Sequence, residues 1–241
     1  MKALLGLGRS LRVYRNPRHL RSLTAFCREL APGAKLVFDI GAHAGDRVAA
    51  FRRLGARVVA LEPQPMMFAA LRLLHGRDPG VTLVQACAGP AEGEAVLRVN
   101  TANPTVSTLW EGFAEAAKGA RGWEGQVWDA SRPVPVTALD ALIAAHGTPD
   151  FVKIDVEGYE AEVLAGLSAP VPRLSFEIVT MARDRGLAAL ERAAALGYGR
   201  FRLTLGESHV WAGDWTDAAG MARLLRVLPD EANSGDVVAA R

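Results

Sequence analysis

The sequence predicts an α/β fold in which a mostly parallel sheet is doubly wound, with helices on both faces. Three observations predict it. From Lys35 onward, short apolar runs alternate with segments of helical apolar spacing. The first run, Leu36-Val37-Phe38-Asp39-Ile40, opens into a loop of small residues, Gly41-Ala42-His43-Ala44-Gly45-Asp46, before a helical pattern begins. The next run, Val58-Val59-Ala60-Leu61, ends in an acid, Glu62, followed by Pro63. Strand, tight turn, helix and strand in that order make the unit that holds ligands beyond the carboxyl ends of parallel strands.

Asn16-Pro17 reads as an N-cap with proline at the first helical position. Leu20, Leu23, Phe26 or Cys27, and Leu30 follow at helical spacing until Pro32-Gly33 stops the element. Residues 1–34 are therefore expected as a basic N-terminal helical arm laid on a body of residues 35–241. In the body, residues 36–40 form a strand, and 46–54 a helix that Gly55 ends. Residues 57–61 are the second strand, and 66–74 a helix behind Pro63 and Pro65. Residues 81–86 are a third strand and 95–99 a shorter fourth. Residues 150–156 have the mixed apolar character of a buried parallel strand. A helix over 159–167, a strand over 174–179 and a helix over 187–196, ended by Gly197, follow. In the tail, residues 201–205, 209–211 and 237–240 read as β-structure. Residues 100–133 break the rhythm, with Trp110, Phe113, Trp123 and Trp128 among glycines, Asn-Pro and Arg-Pro. A long connection of this kind is usually functional, so a substrate lid is expected there.

Half of the 241 residues are hydrophobic and 22% are charged, the balance of a globular chain with a sizeable core. The net charge of +2 hides an asymmetry, because seven of the 28 Lys and Arg but one of the 26 acids precede Lys35. The body is mildly acidic, which speaks against nucleic acid as its partner. The arm's arginines recur every three residues and wind around a helix; a solvated face and attraction to an acidic membrane surface or a phosphorylated substrate both fit. Two cysteines, Cys27 and Cys87, are too few for a disulfide framework and fit a reducing compartment. No run reaches the roughly 18 apolar residues of a membrane span. Residues 1–8 are too short and glycine-broken for a signal-peptide core. A cytoplasmic protein is expected, with the arm as the place for peripheral contact at the inner membrane surface.

The chemistry-bearing residues cluster at strand ends. Gly41, Ala42 and Gly45 let backbone approach a ligand, and the helix opening at Asp46 offers N–H groups to a carboxylate. Asp39 can hold an ammonium. The two glycines stand four apart rather than in the G-x-G-x-x-G of dinucleotide sites, which points toward S-adenosylmethionine and away from NAD. An ordinary strand-to-helix turn is the competing account. Glu62 can accept hydrogen bonds from both ribose hydroxyls, and Ala86, in Gln85-Ala86-Cys87, stands where an adenine would lie. Lys153, Asp155 and Glu157 interrupt an apolar strand at its carboxyl end, where charges are costly without partners or a function. A structural Lys–Glu pair capping the next helix is the alternative.

Together these strings resemble the FkbM family of S-adenosylmethionine-dependent methyltransferases. The resemblance is carried by Phe38-Asp39-Ile40-Gly41-Ala42, Leu61-Glu62-Pro63, Val136-Thr137-Ala138-Leu139-Asp140, and Lys153-Ile154-Asp155-Val156-Glu157-Gly158 with Val163-Leu164 and Phe176-Glu177-Ile178. The Lys-Ile-Asp-Val-Glu-Gly string is its specific part; the glycine loop is common to class I methyltransferases. Ser107-Thr108-Leu109 resembles the Ser-Ser/Thr-Leu element between the family's third and fourth motifs, and Gly235-Asp236-Val237-Val238-Ala239 a frequent family ending. The resemblance implies a Rossmann-like, seven-stranded class I methyltransferase sheet whose last hairpin supplies an antiparallel strand. It also implies O-methylation, commonly of a sugar hydroxyl in a glycan, glycolipid or natural product. His43 stands where relatives often have Asn, and is placed with the cofactor residues.

A sugar hydroxyl is a poor acid, so a base near the methyl is expected; such a base typically adds about 10²–10⁴-fold. Asp155, Glu157, Glu177 and His209 are the candidates, in that order. Ser107, Thr108, Trp110, Trp123 and Trp128 are candidates for the acceptor site, flat aromatic faces being suited to sugar rings and apolar tails. No His/Cys group has metal-ligand spacing, and no metal is assigned; the paired acids leave a divalent ion open. Three alternatives are weighed. An NAD-dependent oxidoreductase lacks its glycine motif here. A nucleic-acid methyltransferase lacks an Asn/Asp-Pro-Pro-aromatic string. A cofactor-binding module without catalysis is opposed by the intact acids.

Overall fold

Five consecutive buried residues, Leu36–Ile40, form β1 and seed the main sheet in the computed structural model. The structure describes residues 2–14 and 16–241; Met1 and the arm base Arg15 lie outside the described residues. Two helices precede β1, α1 (Lys2–Tyr14) and α2 (Pro17–Leu30). Asn16 caps α2 as predicted, its Oδ1 accepting the Arg18 N–H at 2.8 Å. Leu23, Phe26, Cys27 and Leu30 bury against Val48 and Phe51 of α3 (Asp46–Arg53) and the adjoining sheet face. Each fully buried Leu or Phe gains about 1.5–3 kcal/mol, so α2 holds the arm firmly on the body.

The chain continues through β2 (Arg57–Leu61), α4 (Pro65–His75), β3 (Val81–Val84), β4 (Cys87–Ala88), β5 (Gly93–Val99), α5 (Phe113–Ala116), β6 (Ala130–Thr137) and α6 (Leu139–His146). It ends with β7 (Phe151–Ile154), α7 (Glu160–Ala165), β8 (Arg173–Val179), α8 (Arg183–Ala195), β9 (Arg200–Leu205), α9 (Ala218–Val227) and β10 (Ser234–Ala240). The main sheet has seven strands in the order β3-β2-β1-β7-β8-β10-β9. Its first five are parallel, and β10 runs antiparallel between β8 and β9, as expected. The order diverges between β1 and β7, with β2 and β3 on one side and β8 on the other. Open α/β sheets leave a crevice at such a switch point.

Two expectations are corrected. The strand expected at 95–99 does not join the main sheet; as β5 it pairs with β6, which joins β4 on its other side in a second, three-stranded sheet. Pro133 and Pro135 made β6 read as a loop. They are tolerated because β4 pairs only with Val136 and Thr137, leaving that edge of β6 open beside the prolines. Residues 100–133 gather around an aromatic cluster. Phe113 lies at their centre, edge-on to Trp110, Trp123 and Trp128 with ring centroids 5.9, 5.2 and 5.4 Å away. The indole N–H of Trp128 donates to the Val106 carbonyl at 2.7 Å. Finally, residues 209–211 are no strand: Trp211 makes a single bridge to Thr204, and the tail holds the unpredicted helix α9, whose N-cap Asp217 accepts the Gly220 N–H at 2.7 Å. Among the described residues, no helix is long and apolar enough to cross a membrane.

Candidate active site

The loops leaving β1 and β7 touch, and glycine makes the contact. Gly41 has φ +86, and a Cβ there would fall 1.9 Å from the Asp155 carbonyl oxygen. The Asp155 N–H donates to the Ile40 carbonyl at 3.0 Å, while the Gly41 and Ala42 N–H groups both donate to the Leu61 carbonyl at 3.0 and 2.8 Å. The ends of β1, β2 and β7 are thereby tied around one crevice. Asp46 opens α3 and meets His19 of α2 at 2.8 Å, so the arm helps to set the loop.

Two acids form one end of the cavity. Asp39 is 2% exposed, and among the described residues its Oδ2 has no hydrogen-bond partner. Burial pushes its carboxyl from 3.8 up to about 7, against the pull of nearby Arg47. Glu62 is as deeply buried, but is held in place: Oε2 accepts the His43 N–H at 3.0 Å and Oε1 the Gln64 N–H at 2.8 Å. Burial still takes it from 4.5 to about 7. His43, with φ +45, is pushed down to about 4 by burial and is neutral near neutral pH.

An ion chain crosses the floor. Arg47 of α3 meets Asp236 of β10 at 3.3 Å, Asp236 meets Lys153 of β7 at 2.7 Å, and Lys153 meets Asp155 at 3.2 Å. Burial opposes the charge on Lys153, but Asp155 and Asp236 overcome it and hold the ammonium above its ordinary range. The alternative Lys–Glu pair is therefore not what forms. The cation is taken by two aspartates, and Glu157 and Glu177 face the cavity without it. Burial, reinforced by Asp155, pushes both carboxyls well above the ordinary range. Glu157 has φ +56, Gly158 has φ +87, and Thr108 Oγ1 donates to the Glu157 carbonyl at 2.7 Å, fixing the bend. The Glu160 carboxylate accepts the Val156 and Gly158 N–H groups at 3.1 and 3.2 Å from the other side.

One cavity gathers most of the residues singled out in the sequence: Asp39, Gly41, Ala42, His43, Asp46, Glu62, Ala86, Ser107, Thr108, Asp155, Glu157 and Glu177 line it. Gly45 stands behind, against Leu71 and His75. His209 is not among the walls; its Nδ1 lies 3.0 Å from Ser22 Oγ on α2, and its ring stacks on Phe26. Trp110, Trp123 and Trp128 are absent from the walls too; their rings pack T-shaped with Phe113, and the Arg185 guanidinium lies over Trp110, 5.3 Å from its centroid. Gln64, Arg47 and Thr105 line the cavity without having been foreseen. Gln64 ties the insertion to β2: Nε2 donates to the Pro104 carbonyl at 2.9 Å, and Oε1 accepts from Ser107 Oγ at 3.1 Å. Its place directly after Glu62-Pro63 was the available signal.

Residues 39–191, which contain both loops of this cavity, match the model of the methyltransferase FkbM domain. The chain belongs to the FkbM methyltransferase family. It is 32% identical over 210 residues to the 31-O-demethyl-FK506 methyltransferase FkbM of Streptomyces tacrolimicus, covering 77% of this chain and 79% of that one. Similar solved structures include the O-methyltransferase from Bacillus cereus in complex with SAH, with 12% identity and a TM-score of 0.49 over 98% of this chain and 90% of that one. Precorrin-6y C5,15-methyltransferase from Geobacter metallireducens has 16% identity and a TM-score of 0.44 over 90% and 86%. The cofactor of this FkbM methyltransferase is S-adenosylmethionine, and the residues present suit it. Asp39 offers a buried carboxylate oxygen without a hydrogen-bond partner among the described residues, Glu62 an acid at the end of β2, and the Gly41-Ala42 turn a wall of backbone.

Proposed function

We propose that this methyltransferase transfers the methyl group of S-adenosylmethionine to a hydroxyl of a sugar, glycolipid or natural-product acceptor. The observation that carries the reading is the group of carboxylates at the ends of β7 and β8, Asp155, Glu157 and Glu177, on the wall of the cavity that holds the cofactor loop. Oxygen acceptors must shed a proton, and these acids stand where one can be received. The name of the Streptomyces relative, a 31-O-demethyl-FK506 methyltransferase, supports oxygen as the acceptor atom.

S-adenosylmethionine supplies a methyl group already activated on a sulfonium. The chain's own residues bind, orient and take the proton. Asp39 would hold the ammonium. Glu62, oriented by the His43 and Gln64 N–H groups, would accept from the ribose hydroxyls. The ion chain from Arg47 through Asp236 and Lys153 keeps Asp155 in place beside the loop. Holding two reactants in line can contribute on the order of 7–11 kcal/mol. Glu157 and Glu177, raised by burial, are better proton acceptors near neutral pH than ordinary carboxylates.

The test is incubation of the enzyme and S-adenosylmethionine with a pool of hydroxylated glycolipids and natural products, read by mass spectrometry. An O-methylated product that disappears with Glu177→Gln is expected. A cofactor-binding enzyme that methylates only nitrogen, carbon or nucleic acid would overturn the reading.

A further inference from the structure

Asp155 and Glu157 follow β7 and Glu177 lies in β8, and one carboxylate oxygen from each lies within 4.8 Å of the other two. Glu157 is only 9% exposed, and among the described residues its Oε2 has no hydrogen-bond partner; Glu177 Oε2 is buried without one there as well. Both residues line the cavity, so these acids stand at its wall and not in the packed core of the sheet. Lys153 does not answer them, because its ammonium is shared between Asp236 at 2.7 Å and Asp155 at 3.2 Å. The charge count runs the same way. Among the described residues the cavity walls carry six carboxyl groups and one guanidinium, that of Arg47, and S-adenosylmethionine adds only one net positive charge.

From this geometry we propose a divalent-cation site formed by Asp155, Glu157 and Glu177, at which the cation receives the acceptor's oxygen. An ion bound by oxygens at about 2.0–2.6 Å spans ligand pairs of this separation. The donor set is all carboxylate, with no imidazole or thiolate, which selects hard ions such as Mg²⁺, Mn²⁺ or Ca²⁺ over zinc or copper. Three carboxylates leave about half of a six-coordinate shell for water and for substrate. An acceptor hydroxyl entering that shell is acidified by the cation and its proton leaves to solvent water, so with the cation bound Glu157 and Glu177 act as its ligands in place of serving as the base. The role of the cation in holding the acceptor rests on the O-methyl-transfer reading; the binding of the cation does not.

Mn²⁺ is the probe. Titration of the ligand-free enzyme and of its S-adenosylhomocysteine complex, followed by loss of the free-ion electron paramagnetic resonance signal, is expected to show one bound ion per chain. Glu157→Gln and Glu177→Gln, still binding S-adenosylhomocysteine, are expected to weaken Mn²⁺ by at least about tenfold, the lower range seen when even outer-shell partners are removed. Glu115→Gln, an exposed acid paired with Lys118, is expected to leave it unchanged. Crystals of the wild-type enzyme grown with Mn²⁺ are expected to give an anomalous peak among the three carboxylates, a readout that holds even if neither glutamine variant folds. No bound ion in the wild type, equal affinity in folded variants, or a peak elsewhere would overturn the proposal. An enzyme that binds S-adenosylhomocysteine but no Mn²⁺ loses the cation site alone; one that binds neither loses the functional reading as well.

Discussion

Lys153 and Asp236 meet at 2.7 Å across strands β7 and β10, and the pair joins the cofactor side of the sheet to the antiparallel strand that completes it. Lys153 is 1% exposed, so removing one partner strands a buried charge, at a typical cost of about 3–5 kcal/mol. Lys153→Met and Asp236→Ala are each expected to lose stability on that scale in urea denaturation, with the double variant losing less than the sum. Single variants within about 0.5 kcal/mol of wild type, the range of an ordinary surface change, would show that the pair does not hold the sheet.

Gly41 is the position least able to accept a side chain. A methyl group there would meet the Asp155 carbonyl at 1.9 Å, with the backbone already at φ +86. Gly41→Ala is expected to cost about 1–3 kcal/mol for the left-handed conformation, to push the β1 and β7 loops apart, and to lower S-adenosylhomocysteine affinity. A variant with the wild-type melting temperature and affinity would show that the loops need no such contact.

The cofactor acids predict a pH dependence. In the ligand-free chain burial moves Asp39 from 3.8 and Glu62 from 4.5 to about 7. An ammonium and two ribose hydroxyls favour the ionised forms, so binding of S-adenosylhomocysteine releases protons and tightens as pH rises toward about 7, levelling above it. Calorimetry in buffers of different ionisation enthalpy reads the proton release directly. Stability of the ligand-free chain moves in the opposite sense. The folded state keeps protons that the unfolded state has shed, so these acids stabilise it below about pH 4 and that contribution is lost as pH climbs to about 7. A flat binding profile between those values would contradict the burial of both groups.

The tryptophans of the insertion are expected to act first on stability. Trp123 is 7% exposed and edge-on to Phe113, and Trp→Ala in a packed cluster typically costs about 3–5 kcal/mol. Trp123→Ala is expected to loosen residues 100–129, seen as faster protease nicking there. Wild-type protease resistance would show that this cluster does not order the insertion.

The cofactor end of the cavity was readable because its signals are local. Asp39 and Glu62 each close an apolar run, and Gly41 sits where two loops must touch. Lys153, Asp155 and Glu157 were visible as charges in a strand that ought to be apolar. What stayed hidden depends on distant partners. Lys153 pairs with a residue 83 positions away, and nothing near it in sequence distinguishes that partner from Glu157. Strand β6 was masked by its prolines, and α9 by its Ala-Ala-Gly start behind a stretch read as β-structure. His209 looked free to act because its strand was misread; in the fold it belongs to the α2 contact.

The most direct test is calorimetric titration of the wild type, Asp39→Ala and Glu62→Ala with S-adenosylhomocysteine. One molecule is expected to bind the wild type, NAD is expected not to compete, and each variant is expected to bind at least about tenfold more weakly, the equivalent of about 1.4 kcal/mol. Wild-type affinity in both variants would contradict the account.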